Sequence, residues 1–194
     1  MKLLLYCCKA KPYLYKTEKP MIEKMNGDYH IQLNEAVLTE NLNGKIVAEC
    51  DFEVEKLQIV YGKGWETKTI KGTENIEKLT CLSRDELYQY CKGNGYAIHI
   101  KNLHIFDKPR ELSEYFTEEK KMNTLDGYSW VCESIDRAPQ NMMYAYDGEG
   151  NKYIVISIQS QWVCEILNGN KTVEVRKKVL KEMLEWMELS LMVK

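Results

Sequence analysis

Close to the end of the chain, Lys171, Thr172, Glu174 and Arg176 follow one another in Gly169-Asn-Lys-Thr-Val-Glu-Val-Arg176. If this stretch is a strand, Thr172, Glu174 and Arg176 share one face, because side chains two apart point the same way. Lys171 then sits at the turn that enters it. One hydroxyl, one carboxylate and two cations are thereby placed in a small space. Arginine grips a phosphate or carboxylate with two parallel donors. A lysine withdrawn from water gives up its proton more readily, and a glutamate beside it can accept a proton or read an exocyclic amine. The same spacing also fits a cross-strand ion-pair network on a solvated face, where such pairs contribute little. Spacing alone leaves both readings open.

The elements that must position this group are legible around it. Residues 153–158 form a β-branched run, read as a strand, and residues 161–167 a short helix. Asn168-Gly169 supplies the left-handed exit from that helix. Ser157 and Trp162 are carried toward the same region. Further upstream, residues 2–8 are a short apolar run, read as a buried strand. Residues 9–20, with Pro12 and Pro20, read as an irregular connection. Asn43-Gly44 is a turn signal before an alternating strand over 45–54, and 55–80 is polar, with further strand and loop. Ser83-Arg-Asp-Glu86 is a capping box that opens a short helix with an apolar stripe at Leu87, Tyr88 and Cys91. Gly93 or Gly95 ends it. A strand over 96–105 follows, then a turn at Asp107-Lys-Pro109, an element over 112–116, and a surface excursion over 117–135. Residues 142–146 precede a Gly-rich linker at 147–151. Residues 179–193 mix helical and strand-like spacing. Many short strands with only small helices point to a β-barrel rather than a layered α/β sheet.

At 194 residues one domain is the expectation, covering 1–194. The formal net charge of -2 excludes a general coat for duplex backbone, which needs a basic excess. Any nucleic-acid contact must be local and pocket-centred. The seven cysteines are odd in number, form no C-x-x-C pair and lack histidines at zinc spacing. They read as free thiols of a reducing compartment. No stretch has transmembrane length and the first residues lack an export-signal pattern, so the expected location is cytoplasmic, with no membrane contact. The carboxylates and histidines do not cluster and no phosphate-loop motif occurs, so neither metal nor cofactor is expected.

Gly169-Asn-Lys171-Thr-Val-Glu174-Val-Arg176 resembles the G-x-K-x-x-E-x-R signature of ASCH domains, members of the PUA-like superfamily. Further segments resemble the family's bacterial and phage members. These are Tyr6-Cys-Cys-Lys-Ala-Lys-Pro-Tyr13, Leu42-Asn-Gly-Lys-Ile-Val-Ala48, Gly95-Tyr-Ala-Ile-His-Ile100, Phe106-Asp-Lys-Pro109 with Leu112-Ser, and Arg137-Ala-Pro-Gln140 with Tyr144. The resemblance implies an α+β, mainly β fold: a small PUA-like barrel with short peripheral helices. In the family the Lys/Glu/Arg segment opens the chain, whereas here it comes last. The resemblance therefore implies a circular permutant, with 1–146 as the later barrel part, 147–151 as linker and 152–194 as the signature segment. Permutation requires neighbouring termini, so Met1 and Lys194 should be close and 153–176 should pair within the same barrel as 2–8. A domain-swapped dimer is the alternative.

For function, the resemblance implies a binding module for RNA or a modified nucleotide or nucleoside, with Lys171, Thr172, Glu174 and Arg176 lining its cleft. Ser157 lies beside them, Trp162 and Tyr6 are placed to stack a base, and His99 or Gln140 to read an edge. Trp162 as a core anchor and His99 as a half-buried, hydrogen-bonded histidine are the plainer readings. A second class is a hydrolase of a nucleoside or RNA, resembling acylcytidine amidohydrolases or ribonucleases, with Lys171 and Glu174 as catalytic residues. Where those amidohydrolases carry threonine this chain has Glu174, and Thr172 lies two residues earlier, so the expected nucleophile is missing. A third class is a phage or host protein-interaction factor.

Overall fold

The computed structural model of the protein describes residues 1–8, 22–25, 28–31, 42–61, 68–71, 74–117, 120–124, 127–131, 134–137 and 139–185. At its centre is β1 (Lys2–Cys8), whose alternate side chains are buried on both sides: Leu3, Leu5 and Cys7 in one apolar cluster, Leu4 and Tyr6 in another. Such a near-continuous apolar run is what a strand covered on both faces requires. It pairs in parallel with β10 (Lys152–Gln159), from Lys2 opposite Tyr153 to Cys8 opposite Gln159. Its other edge pairs antiparallel with β4 (Lys45–Tyr61). Residues 152–159 and the first strand thus belong to one sheet, paired within the same chain.

Next to β4 lies β6 (Asn94–Glu111), which pairs antiparallel with β4 and then with β11 (Val173–Arg176). On the far side β9 (Met142–Tyr146) pairs antiparallel with β10, giving the order β11-β6-β4-β1-β10-β9, with β5 (Lys68–Lys71) joined to the end of β4. Two separate hairpins are formed by β2 (Ile22–Met25) with β3 (Asp28–Ile31) and by β7 (Lys120–Thr124) with β8 (Gly127–Val131). Among the helices are α1 (Ile76–Thr80), α2 (Arg84–Cys91) and α3 (Ser160–Leu167), with a 3₁₀ turn at Leu112–Glu114. Residues 181–185 are also helical and bury Met183 in the core. No helix among the described residues is long and apolar enough to cross a membrane.

The mainly β architecture with short helices is as expected, but the sheet is not closed into a barrel. Among the described residues β9 and β11, the two ends of the path, have no backbone ladder between them. Between β10 and β11 lies α3: the chain leaves β10 at Gln159, winds into the helix and returns as β11, which pairs with β6 and not with β10. One side chain spans the gap between β10 and β11, where Arg176 Nη2 donates to the Ser157 carbonyl oxygen at 2.5 Å.

Several local expectations change. Asp107-Lys-Pro109 is not a turn: β6 runs through it, with Ile105 opposite Ala48 and Arg110 opposite Ile46. The extra residues form a bulge, where proline's missing N–H costs no ladder bond and local twist increases. The linker at 147–151 is the turn of the β9–β10 hairpin. The Asp147 carboxylate accepts from the N–H groups of Glu149 and Asn151, each at 2.9 Å. Neither Gly93 nor Gly95 caps α2. Lys92 does so, in a left-handed conformation at φ 50°, with its N–H bonded to the Tyr88 carbonyl oxygen. Gly95 has a different task, since a Cβ there would lie 2.8 Å from Cys91 Sγ, so the start of β6 packs directly on α2. Residues 9–20, Cys132 and Lys194 lie outside the described residues, and with Lys194 the expected proximity of the two termini.

The capping box at the start of α2 is present as read: the Glu86 N–H donates to Ser83 Oγ, and the Ser83 N–H donates to the Glu86 carboxylate at 2.8 Å. Removing such a cap costs about 1 kcal/mol, so Ser83→Ala should lower the melting temperature by about 2–4 °C. The Ser83 hydroxyl and then its N–H hold the Glu86 carboxyl below the usual range. A depressed carboxylate stabilises the fold above its unfolded value of about 4.3 and loses that contribution as pH falls through the folded value. The difference between wild type and Ser83→Ala should therefore be full at neutral pH and shrink below about pH 4. Melting curves across that range check it.

Candidate functional site

Lys171 is delivered by a sequence of local decisions. Gly169 takes φ 75°, in the left-handed region, and ends α3 with its N–H on the Ile166 carbonyl oxygen. The N–H groups of Asn170 and Lys171 both return to the Glu165 carbonyl oxygen, and the Thr172 N–H bonds to the Leu79 carbonyl oxygen at the end of α1. This seats the Lys171 ammonium on the C-terminal end of α1, where it donates to the Thr80 carbonyl oxygen at 2.8 Å. Orphan carbonyls at a helix end favour a cation at that position.

From Lys171 a polar chain runs outward. Its Nζ lies 3.3 Å from Glu174 Oε2, and Glu174 Oε1 lies 3.0 Å from Arg176 Nη2. Side-chain exposures of 2% for Lys171, 10% for Glu174 and 12% for Arg176 decide between the two readings left open by the spacing. This is a buried network, not a solvated face. The β11 register explains it: Glu174 stands opposite Ile98, a member of the main core cluster, while Val173 and Val175 point the other way, against α1 and α2. The chain ends at Tyr90, whose hydroxyl accepts from the Arg176 guanidinium. Burial raises the Tyr90 phenol above its ordinary value, and the nearby Arg176 charge opposes that shift.

The network lines a cavity of about 350 Å³, within the size range of small-molecule sites. Leu82, Glu86 and Tyr90 come from the α1–α2 region, Ser157 and Gln159 from β10, Gln161 and Trp162 from α3, and Lys171, Glu174, Val175 and Arg176 from the β11 segment. Trp162 is half-buried, with Lys171 Nζ 5.2 Å from its ring centroid. The first turn of α3 has no side-chain cap, and the residues around it line the cavity. Buried Arg176 Nε has no hydrogen-bond partner among the described residues.

Of the residues singled out from sequence, Lys171, Glu174, Arg176, Ser157 and Trp162 come together here. Thr172 is exposed and does not line the cavity. Tyr6 is packed into the second cluster with Leu4 and Ile46, on the opposite face of β1 from the main core. His99 stands opposite Val173, on the reverse side of the sheet from Glu174, with Nε2 3.3 Å from Glu55 Oε2. Gln140 is exposed and outside the cavity. Sequence reading missed Glu86 and Tyr90. Their i,i+4 spacing, off the Leu87 and Cys91 stripe, marks a second helix face that could have been found.

Among the described residues no group of three or more His, Cys, Asp or Glu is placed to hold a metal ion. Comparisons with family models, curated proteins and solved structures find no match for this chain.

Proposed function

We propose that the protein is a reader of RNA or of a modified nucleotide, of the ASCH type in permuted order, and that the cavity at Lys171, Glu174 and Arg176 receives the base. The observation that carries this reading is the buried Lys171–Glu174–Arg176 chain in the wall of a cavity beside Trp162. A folded chain gains little from burying three charges instead of apolar groups, so their placement in a cavity argues for recognition. Trp162 offers an aromatic wall for a base. Gln159 and Gln161 supply amide donors and acceptors at the same cavity. The parallel pairing of β1 with β10 supports the permuted order.

Binding is favoured over hydrolysis because the candidate catalytic groups are already engaged. Both Glu174 oxygens face cations, and the Lys171 ammonium donates to a carbonyl. Neither is free to accept a substrate proton without breaking the network. A cytoplasmic location is part of the proposal: among the described residues Cys7, Cys8, Cys50, Cys81, Cys91 and Cys164 form no disulfide, and burial pushes the Cys7 and Cys50 thiols up to about 12.

Calorimetric titration with the four ribonucleoside 5′-monophosphates and with N-acylated cytidine tests the reading, with product formation followed in the same samples. Binding without turnover is expected. Trp162→Ala should weaken it by about 5- to 150-fold, the equivalent of one lost stacking contact. Turnover that disappears in Glu174→Gln would make the protein a hydrolase instead.

A further inference from the structure

We infer that the cavity's ligand is one nucleotide of a longer single strand, whose neighbouring sugar-phosphate runs over Tyr90 and the Lys177-Lys178 pair. The inference rests on the nucleotide reading of the cavity and adds that the partner is a polymer. Tyr90 has one end in the network and the other outside: it lines the cavity, yet is 39% exposed. It and Ile105 are the exposed large hydrophobic side chains among the described residues. Lys177 Nζ lies 5.2 Å from the Tyr90 ring centroid, so a cation and an aromatic face are presented together at the mouth.

The chain itself makes this rim continuous with the cavity. Arg176 is inside the network, and Lys177 and Lys178 are the next two residues, both exposed. Among the described residues no carboxylate lies within ion-pair distance of either, whereas Lys2, Lys45, Lys101 and Lys152 each have a glutamate partner. Two adjacent lysines without a counter-charge among the described residues, on a chain whose net charge is -2, are a local positive feature set against the overall balance. A free nucleoside has no group for them. A strand does: its flanking phosphates meet the lysines and its next base meets the ring of Tyr90. An acidic peptide would answer the lysines but not the aromatic face or the cavity.

The test compares wild type with Lys177→Gln/Lys178→Gln, both side chains being exposed, with folding checked by thermal melting. Each is titrated with the ribonucleoside 5′-monophosphates, with mixed-sequence RNA and DNA heptamers, and with a heptaglutamate peptide. Wild type should bind one of the heptamers at least about tenfold more tightly than any monophosphate, and the preferred heptamer identifies the sugar. Neutralising about two phosphates gives a loss of about sevenfold between 50 and 200 mM salt. The double variant should lose that salt dependence and most of the heptamer's advantage, while monophosphate affinity stays within about twofold. Equal affinity of wild type for heptamer and monophosphate would overturn the inference and leave the cavity reading intact. So would a double variant indistinguishable from wild type, or a peptide bound as tightly as the heptamer. Absence of binding by both monophosphates and heptamers would overturn the cavity reading and this inference together.

Discussion

Glu174→Ala is expected to destabilise the protein by about 3–5 kcal/mol, because it strands two buried cations. Lys171 and Arg176 are 2% and 12% exposed, and Glu174 is the carboxylate in contact with both. For a chain of this size the loss corresponds to a fall of about 6–20 °C in melting temperature. Lys101 with Glu53 provides the internal comparison. That pair is as close, at 2.5 Å, but its side chains are 49% and 58% exposed. Glu53→Ala should cost less than about 1 kcal/mol, as exposed pairs do. The contrast also predicts a non-additive cycle: Lys171→Met with Glu174→Leu should cost less than Glu174→Ala alone, since it leaves fewer unpaired buried charges. If Glu174→Ala and Glu53→Ala are equally mild in thermal or urea unfolding, the network is not the buried element described above.

Arg176→Leu should destabilise by about 3 kcal/mol and loosen β11 before the rest of the sheet. The guanidinium reaches from β11 to the Ser157 carbonyl oxygen of β10, while its contact with Glu174 steadies the network from the side opposite Lys171. Without it a largely buried carbonyl loses its partner, and β11 is held by its ladder to β6 and by packing against α1 and α2. Arg176 Nε has no partner among the described residues, so its removal also relieves one unsatisfied donor, which sets the figure at the lower end for a broken buried pair. Arg176→Lys should restore less than half of the loss, because an ammonium cannot present the planar fork that meets a carboxylate and a carbonyl together. Amide exchange of residues 173–176 reads the local effect.

The strands that frame the site were legible because their signals are local. The run at 2–8 and the β-branched run at 153–158 each hold enough apolar residues to be buried on both faces, and they became β1 and β10. The capping box at Ser83 and the Gly169 exit are chemistry within one turn of the chain, and both are present. What could not be read from periodicity was set by pairing partners far away in sequence. Asp107-Lys-Pro109 has the composition of a turn, yet the ladder to β4 carries β6 through it as a bulge. Asp147 to Asn151 has the composition of a linker, yet the Asp147 carboxylate binds it into a hairpin turn.

The same division holds within the site. Two-residue spacing correctly put Glu174 and Arg176 on one face, but spacing carries no information on burial, which depends on Ile98 lying across the ladder. Tyr6 and His99 are held elsewhere: Tyr6 is packed in the second apolar cluster and His99 lies beside Glu55, so neither lines the cavity. Tyr90 comes from a helix far upstream in sequence, and only the packing of α2 against β11 brings it to Arg176.

Entry of a nucleotide into the cavity beside Trp162 is what we propose. It is tested most directly by the ¹H–¹⁵N signal of the Trp162 indole N–H, assigned by its loss in Trp162→Phe, during titration with the ribonucleoside 5′-monophosphates and the mixed-sequence heptamers. The Trp162 signal and the amides of residues 171–176 should shift together, saturably and with one affinity, while amides of β7 and β8 stay in place. Saturable shifts elsewhere with an unmoved Trp162 signal, or no shift with any of these ligands, would contradict it.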